Sequence, residues 1–275
     1  MKTLYVSDLD GTLLRHDETL SSFTIETLNT LVDKGMLFSY ATARSIVTSS
    51  RVTQGLSKRI PVILYNGAFI RQPDTNELLI SNFFGPEFSA VLDDLIDHQV
   101  YPIVYSLEDG KEKYRYWVEM STKGIEHFSK SRAGDPRETR VHRAEDLYCG
   151  SPFYMTCIDG TEKLKPLFEK YKDRFHCVFH LDIYSGDQWL EIMPQTASKA
   201  NAVRQLKGLL QCDRVVAFGD GKNDIDMFQI ADECYAMENA VDELKEIATD
   251  IIESNNDDGV ARWLQKNWIP YQSRG

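Results

Sequence analysis

The stretch Val6-Ser7-Asp8-Leu9-Asp10-Gly11-Thr12-Leu13-Leu14 constrains this chain more than any other. The residues leading into it, Thr3-Leu4-Tyr5-Val6, are apolar and β-branched enough to form a buried strand. The strand ends in two carboxylates one residue apart, so on an extended chain Asp8 and Asp10 share a face. Gly11 then lets the backbone turn away sharply. Two carboxylates at a buried strand end repel each other unless a proton or a cation intervenes, and oxygen ligands suit Mg²⁺. The same residues also describe a plain Asp-Gly turn with solvated aspartates. Taken alone, the stretch is compatible with both.

The chain that follows favours a site. Ser21-Ser22 opens an amphipathic helix carrying Phe23, Ile25, Leu28, Leu31 and Val32, and Gly35 closes it. Met36 to Ala41 reads as a second buried strand that runs into Thr42-Ala43-Arg44-Ser45. A helix over about 46–56 leads to the strand Val62-Ile63-Leu64-Tyr65, which stops at Asn66-Gly67. Strand, helix, strand, helix, strand predicts a parallel sheet with right-handed crossovers, whose ligand crevice lies beyond the carboxyl ends of the strands. Asp8, Thr42 and Asn66 all fall at such ends.

The pattern changes after a hairpin over 69–80. From Phe84-Gly85-Pro86 to Ser185-Gly186-Asp187 the chain alternates short strands and helices and reads as a second α/β domain inserted into the first. The expected division is a core of 1–83 and 188–275 around an insert of 84–187. Within the insert, Lys123, His127, Lys130, Arg132, Arg137, Arg140, His142 and Arg143 make a locally basic run. It reads either as a solvated charged face or as a surface for an anionic substrate, and the solvated face is favoured because Glu126, Asp135 and Glu138 interrupt it. The core resumes with the expected strand 188–193. Thr196 or Ser198 caps a helix whose first turn holds Lys199, a cation that is more comfortable at a helix start with an anion or carboxylate cluster in front of it and that alone reads as a surface lysine. The strand Arg214-Val215-Val216-Ala217-Phe218 ends in Gly219-Asp220-Gly221-Lys222-Asn223-Asp224, another carboxylate at a strand end. Shorter elements close the chain.

A chain of 275 residues can bury a large core. Its net charge of −11 argues against generic nucleic-acid binding but leaves room for an anionic small substrate at a locally positive site. Five cysteines without a CxxC pair suggest a reducing compartment. The Asp-rich stretch stands where a signal peptide would need an apolar core, and no apolar run is long enough to span a bilayer. The expected location is the cytoplasm, with no membrane or nucleic-acid partner. The oligomeric state is left open, a monomer being compatible.

Together the motifs resemble the haloacid dehalogenase superfamily of phosphohydrolases, and most closely its Cof-type branch (class IIB), which carries a large inserted α/β cap. The likeness rests on Asp8-Leu9-Asp10-Gly11-Thr12, Thr42 in Ala-Thr-Ala-Arg, Lys199 in Ser-Lys-Ala-Asn-Ala, and Gly219 to Asp224, in that order on strand ends. Ala43 stands where the branch more often has glycine, and Gly221-Lys222 also departs from its pattern. The resemblance implies a Rossmann-like parallel-sheet core with an inserted α/β cap. It implies an Mg²⁺-dependent phosphatase acting on small phosphorylated metabolites such as sugar phosphates. In that scheme Asp8 is the nucleophile and Asp10 the general acid and base. Asp8, the Asp10 carbonyl, Asp220 and Asp224 hold or support Mg²⁺, while Thr42, Lys199, Asn223 and Arg44 bind the phosphoryl group. Two alternatives remain at this point: a phosphotransferase of the phosphomannomutase kind, and a non-catalytic phosphorylatable module.

Overall fold

The computed structural model describes residues 1–181 and 186–271. The chain runs through strands β1 (Thr3–Asp8), β2 (Leu37–Ala41), β3 (Val62–Leu64), β4 (Phe69–Gln72) and β5 (Glu77–Ser81). It continues through β6 (Ile103–Glu108), β7 (Lys111–Trp117), β8 (Glu138–Val141), β9 (Ser151–Asp159), β10 (His176–Leu181) and β11 (Gln188–Met193). It ends with β12 (Arg214–Gly219), β13 (Glu233–Met237) and β14 (Asp250–Ile252). Two compact units result, one of Met1–Ser81 with Ala197–Gly275, the other of Asn82–Thr196.

The first unit is built on one sheet in the order β14-β13-β12-β1-β2-β3-β4-β5. From β14 to β3 every pairing is parallel, and β4 and β5 add an antiparallel hairpin at one edge. The central strands are buried almost end to end, as expected of parallel strands covered on both faces. Chain order runs outward from β1 to β2 on one side, whereas β12 lies against its other side. The carboxyl ends of β1 and β12 therefore flank the point where the winding reverses, the usual place for a ligand crevice. Register makes this concrete: Ser7 lies opposite Phe218, and Asp8 opposite Ala41. Asp8, Thr42 and the Gly219-Asp220 step consequently stand at one level along the same edge. The Ser22–Asp33 helix packs against the Gly259–Asn267 helix, and Lys199–Leu209 against Ile225–Ile230. Ser21 caps the first helix by accepting from the Thr24 N–H at 2.9 Å, as the sequence predicts.

The second unit carries a sheet in the order β10-β11-β9-β6-β7-β8, antiparallel except for the β7–β8 pair. Leu92, Leu95, Met155, Cys157, Leu164, Leu167, Leu190 and Ile192 build one apolar core. Tyr114, Ile125, Phe128 and Ile158 form part of a smaller one. The sequence reading is corrected here at two points. Gln188–Met193 does not resume the core: it lies between β9 and β10, paired antiparallel with both. The first unit resumes only at Ala197, so the division expected at 188 moves to the chain after Pro194. A buried apolar strand followed by proline fits either sheet, and only the long-range pairing decides which. The reading also missed the short strand β8, whose residues are mostly polar. Ser185 of the expected hinge lies outside the described residues.

The basic run is largely neutralised by its own carboxylates, and Arg137 within it is buried. Lys130 pairs with Glu126, Arg137 with Asp135 and Glu112, Arg140 with Glu138, His142 with Glu119 and Arg143 with Asp146. The Arg132 guanidinium sits 3.8 Å over the Phe128 ring. Most of these cations are matched to carboxylates a few residues away, so the excess positive charge is largely cancelled locally.

Placing β11 in the second sheet has a direct consequence for truncation. An isolated 82–196 fragment should show a cooperative thermal transition by circular dichroism, whereas 84–187 should not, because it leaves β10 without its neighbour and opens the core at Leu190 and Ile192. Equal cooperativity of the two fragments would contradict the strand order.

Candidate active site

Three carboxylates converge at the strand ends of the first unit. Asp8, Asp220 and Asp224 each offer an oxygen within 4.8 Å of the others. Asp8 is buried at the end of β1, and Asp224 is wholly buried at the start of the helix that follows β12. Lys199 reaches them from the first turn of its helix, itself capped by Ser198, which accepts from the Asn201 N–H at 3.1 Å. Its ammonium, 1% exposed, donates to Asp8 at 2.5 Å and to Asp224 at 2.7 Å. Lys199 is therefore not a surface lysine: the anion in front of this helix start is a pair of carboxylates.

Local backbone holds these groups in place. Gly11 has φ of +75°, and a side chain there would strike the Asp220 carboxylate, so the turn after Asp10 requires glycine. Thr12 donates its hydroxyl to Asp220 at 2.9 Å. The second oxygen of Asp224 accepts the N–H groups of Asp220 and Gly221, both at 3.1 Å, which fixes the loop beyond β12. Gly67, at φ +103°, leaves room for the Ser198 carbonyl and lets the Lys199 helix begin beside the loop after β3.

Charge within the cluster is unbalanced: three carboxylates face one ammonium. Burial raises Asp8 well above the usual carboxylate range, Asp224 and Asp220 add to the rise, and Lys199 opposes it. Asp220 is pushed up to about 6, again first by burial and then by Asp224, with Thr12 and Lys199 pulling the other way. Burial alone would lower Lys199, but Asp224 and Asp8 outweigh it and hold the ammonium above its ordinary value. All the donors are hard carboxylate oxygens with surplus negative charge, a set that a divalent cation would complement.

The remaining predicted residues occupy distinct positions. Thr42 is buried at the end of β2; its N–H donates to Ile63 at 3.0 Å and its carbonyl accepts from Asn66 at 2.9 Å. The Thr42 hydroxyl accepts from the Arg44 N–H at 3.1 Å. Asn223 is exposed beside the cluster. Lys222, one of the departures from the family pattern, turns outward to Glu243 at 2.5 Å and does not enter the site. Asp10 is not brought into the cluster through its side chain: its half-exposed carboxylate is gripped by Arg44. Arg44 is correspondingly engaged with carboxylates where the resemblance implied a phosphate.

Two asparagines missed in the sequence tie down the loop that carries Asp8 and Asp10. Asn239 donates to the Gly11 carbonyl at 2.8 Å and accepts from the Asn255 N–H at 3.1 Å. Buried Asn255 in turn donates to the Leu14 carbonyl at 2.8 Å. They lie more than two hundred residues away in sequence, and their only local signal is an asparagine in a loop after a short strand.

The chain matches the profile of the haloacid dehalogenase-like hydrolases over residues 5–264. It is 28% identical to the 5-amino-6-(5-phospho-D-ribitylamino)uracil phosphatase YwtE of Bacillus subtilis, with 94% of this chain and 96% of the relative covered. A solved structure from Thermotoga maritima superposes with a TM-score of 0.77 at 27% identity, covering 98% of each chain. A subclass IIB sugar phosphatase shares the fold at 18% identity, with a TM-score of 0.72 over 96% of this chain and 98% of its own. The protein belongs to the haloacid dehalogenase-like hydrolases, in the branch with an inserted α/β unit. It is a phosphatase of that family. Among the described residues no helix is long and apolar enough to cross a membrane.

The sign of the cluster's electrostatics is testable without substrate. Asp220 has a folded-state value near 6, above its ordinary 3.8, so its ionised form destabilises the fold. That cost is absent at pH 3, grows between about pH 4 and 6, and is complete above. In chelator-treated protein at pH 7.5, Asp220→Asn should therefore raise stability, by up to about 3 kcal/mol, and the gain should vanish toward pH 4. A lower Tm for the variant at pH 7.5 would contradict the electrostatic account.

Proposed function

We propose that the protein is an Mg²⁺-dependent phosphatase of small phosphorylated metabolites that works through a phosphoryl intermediate on Asp8. The observation that carries this reading is the convergence of Asp8, Asp220 and Asp224, with Lys199 bonded to Asp8 and Asp224, at the point where the sheet's winding reverses. Three carboxylates compressed around one ammonium are costly for the fold. A metal site that must also hold a reactive carboxylate explains why they are kept together.

Asp8, Asp220 and Asp224 would hold the ion, with the Asp10 carbonyl as a further oxygen. Bound Mg²⁺ supplies charge that lets an anionic nucleophile meet an anionic phosphoryl group. Asp8 attacks phosphorus as the bond to the leaving oxygen breaks, and Asp10 provides that oxygen with its proton. Water then attacks phosphorus, gives its proton to Asp10, and the Asp8 carboxylate is restored. Thr42, Lys199 and exposed Asn223 surround the oxygens on which charge must be stabilised. Lys199 opposes the rise that burial imposes on Asp8 and so favours the ionised form that attack requires. An acid and base at Asp10 serves transfer to water, and the phosphatase names of the relatives support hydrolysis over transfer to a second sugar.

The inserted unit 82–196 is assigned the choice of substrate, in the cytoplasm. The B. subtilis relatives are named for a ribitylaminouracil phosphate. A phosphorylated polyol bearing a heterocycle therefore heads the candidates, followed by sugar phosphates. A panel of such monoesters assayed with purified protein tests the class; if no monoester is turned over, the reading fails.

Asp8→Asn should abolish turnover, with kcat down by about 10⁴ or more, because an amide cannot form the acyl phosphate. Near-normal turnover by a folded Asp8→Asn preparation would rule the mechanism out. Chelation should abolish activity and Mg²⁺ restore it, while Ca²⁺, with its larger and looser coordination shell, should restore it poorly. Full activity after exhaustive chelation would be incompatible with a metal-dependent site.

A further inference from the structure

Arg44 holds Asp10 in a two-point grip. Its Nε lies 2.9 and 3.1 Å from the two Asp10 oxygens, and its Nη2 donates to one of them at 2.5 Å. The same Nη2 is 3.2 Å from a Glu18 carboxylate oxygen. Arg44 is fixed from behind, its N–H on the Thr42 hydroxyl and its carbonyl accepting from Tyr65 at 3.1 Å.

Glu18 is delivered by a turn built against its own steric preference. Its φ is +59°, an uncommon conformation for glutamate. Arg15 donates its N–H to the Thr19 carbonyl at 2.9 Å, and the Glu18 N–H reaches the Arg15 carbonyl at 3.0 Å. The Asp17 carboxylate accepts the N–H and hydroxyl of Thr19 at 3.1 and 2.6 Å, and the Arg15 side chain is anchored on Asp258 at 2.9 Å. Such strain persists where surrounding structure enforces it, and it gathers at functional sites. Asp10 and Glu18 are about half exposed, and ion pairs between such groups add little stability. What a bidentate grip does provide is direction.

We propose that Arg44, braced by Glu18, is a positioning residue that orients the Asp10 carboxylate as the base for hydrolysis of the phosphorylated enzyme. This rests on the assignment of Asp8 and Asp10 above. The grip fixes the direction of the Asp10 oxygens, and a guanidinium has no proton-accepting site that would compete with them for the water proton. In the step concerned a water oxygen bonds to phosphorus, one water proton passes to Asp10, and the Asp8–phosphorus bond breaks to return the Asp8 carboxylate and release phosphate. Arg44 and Glu18 remain unchanged throughout. The consequence is selective: loss of the grip slows the second half-reaction more than the first.

The test is rapid-quench kinetics with 4-nitrophenyl phosphate and one alkyl phosphate, on the full chain with Mg²⁺. Arg44→Ala should slow breakdown of the phosphoenzyme by about tenfold or more, equally for both substrates, since the intermediate is the same. Phosphoenzyme should accumulate, and kcat and KM should fall together. Arg44→Lys should recover part of the rate, and Glu18→Gln should show the same pattern at roughly threefold. If Arg44→Ala instead slows phosphorylation, raises KM and weakens inhibition by inorganic phosphate, Arg44 is a phosphate ligand and the proposal is wrong. Unchanged kinetics in all three variants reduce the grip to a surface ion pair and overturn it as well. The Asp10→Asn control separates the two levels: if it leaves phosphoenzyme breakdown unaffected, the assignment of Asp10 fails, and the positioning proposal fails with it.

Discussion

The organising constraint is the repulsion among buried Asp8 and Asp224 and half-buried Asp220, three carboxylates that share a single buried ammonium. Everything around them serves to keep these like charges close. Parallel pairing of β1 with β12 sets Asp8 level with the loop that carries Asp220. The Asp220 and Gly221 N–H groups hold one oxygen of Asp224 while Lys199 holds the other. Gly11 removes the side chain that would collide with Asp220, and Asn239 and Asn255 pin the loop from the far end of the sequence. Each of these contacts is small alone. Their joint effect is a rigid pocket of excess negative charge, which suits a cation and a chemistry in which an anion must be attacked by another anion.

Asp10 stands outside that pocket through its side chain, and the separation makes chemical sense. A fourth carboxylate in the cluster would deepen the imbalance. Turned toward Arg44, Asp10 keeps its charge on a guanidinium instead and stays close in the chain to the nucleophile. Two aspartates one residue apart thus occupy different surroundings, one buried against Lys199, the other half exposed on Arg44. Nucleophile and proton carrier need such different surroundings.

Much of this was legible in the sequence because the site is assembled from strand ends. Asp8, Thr42 and Asp220 each directly follow or close an apolar run, and parallel connectivity brings those ends to one edge whatever the details of the helices. Lys199 was partly legible through a conflict, a cation at a helix start, which an anion in front of it eases but which a surface lysine would also fit. What was illegible depended on distant pairing. Gln188–Met193 carries no local mark of which sheet it joins, and only its neighbours β9 and β10 settle the matter. The Arg44–Asp10–Glu18 arrangement and the Asn239–Asn255 link depend on side-chain directions at loop positions, which periodicity does not encode. The basic run shows why interrupting carboxylates matter. A count of its charges suggests a surface for anions, yet its partners are carboxylates within reach, several of them only two to four residues along the chain.

The central claim is that Asp8 carries the phosphoryl group between the two halves of the reaction. The most direct measurement is to react the Asp10→Asn variant with a turned-over monoester and Mg²⁺, quench in acid, digest, and locate the phosphoryl group by mass spectrometry. The account predicts one phosphoryl group on the peptide containing Asp8, removed by hydroxylamine and absent without the metal. Substrate turnover with no phosphoryl group on that peptide, or a group on any other side chain, would contradict it.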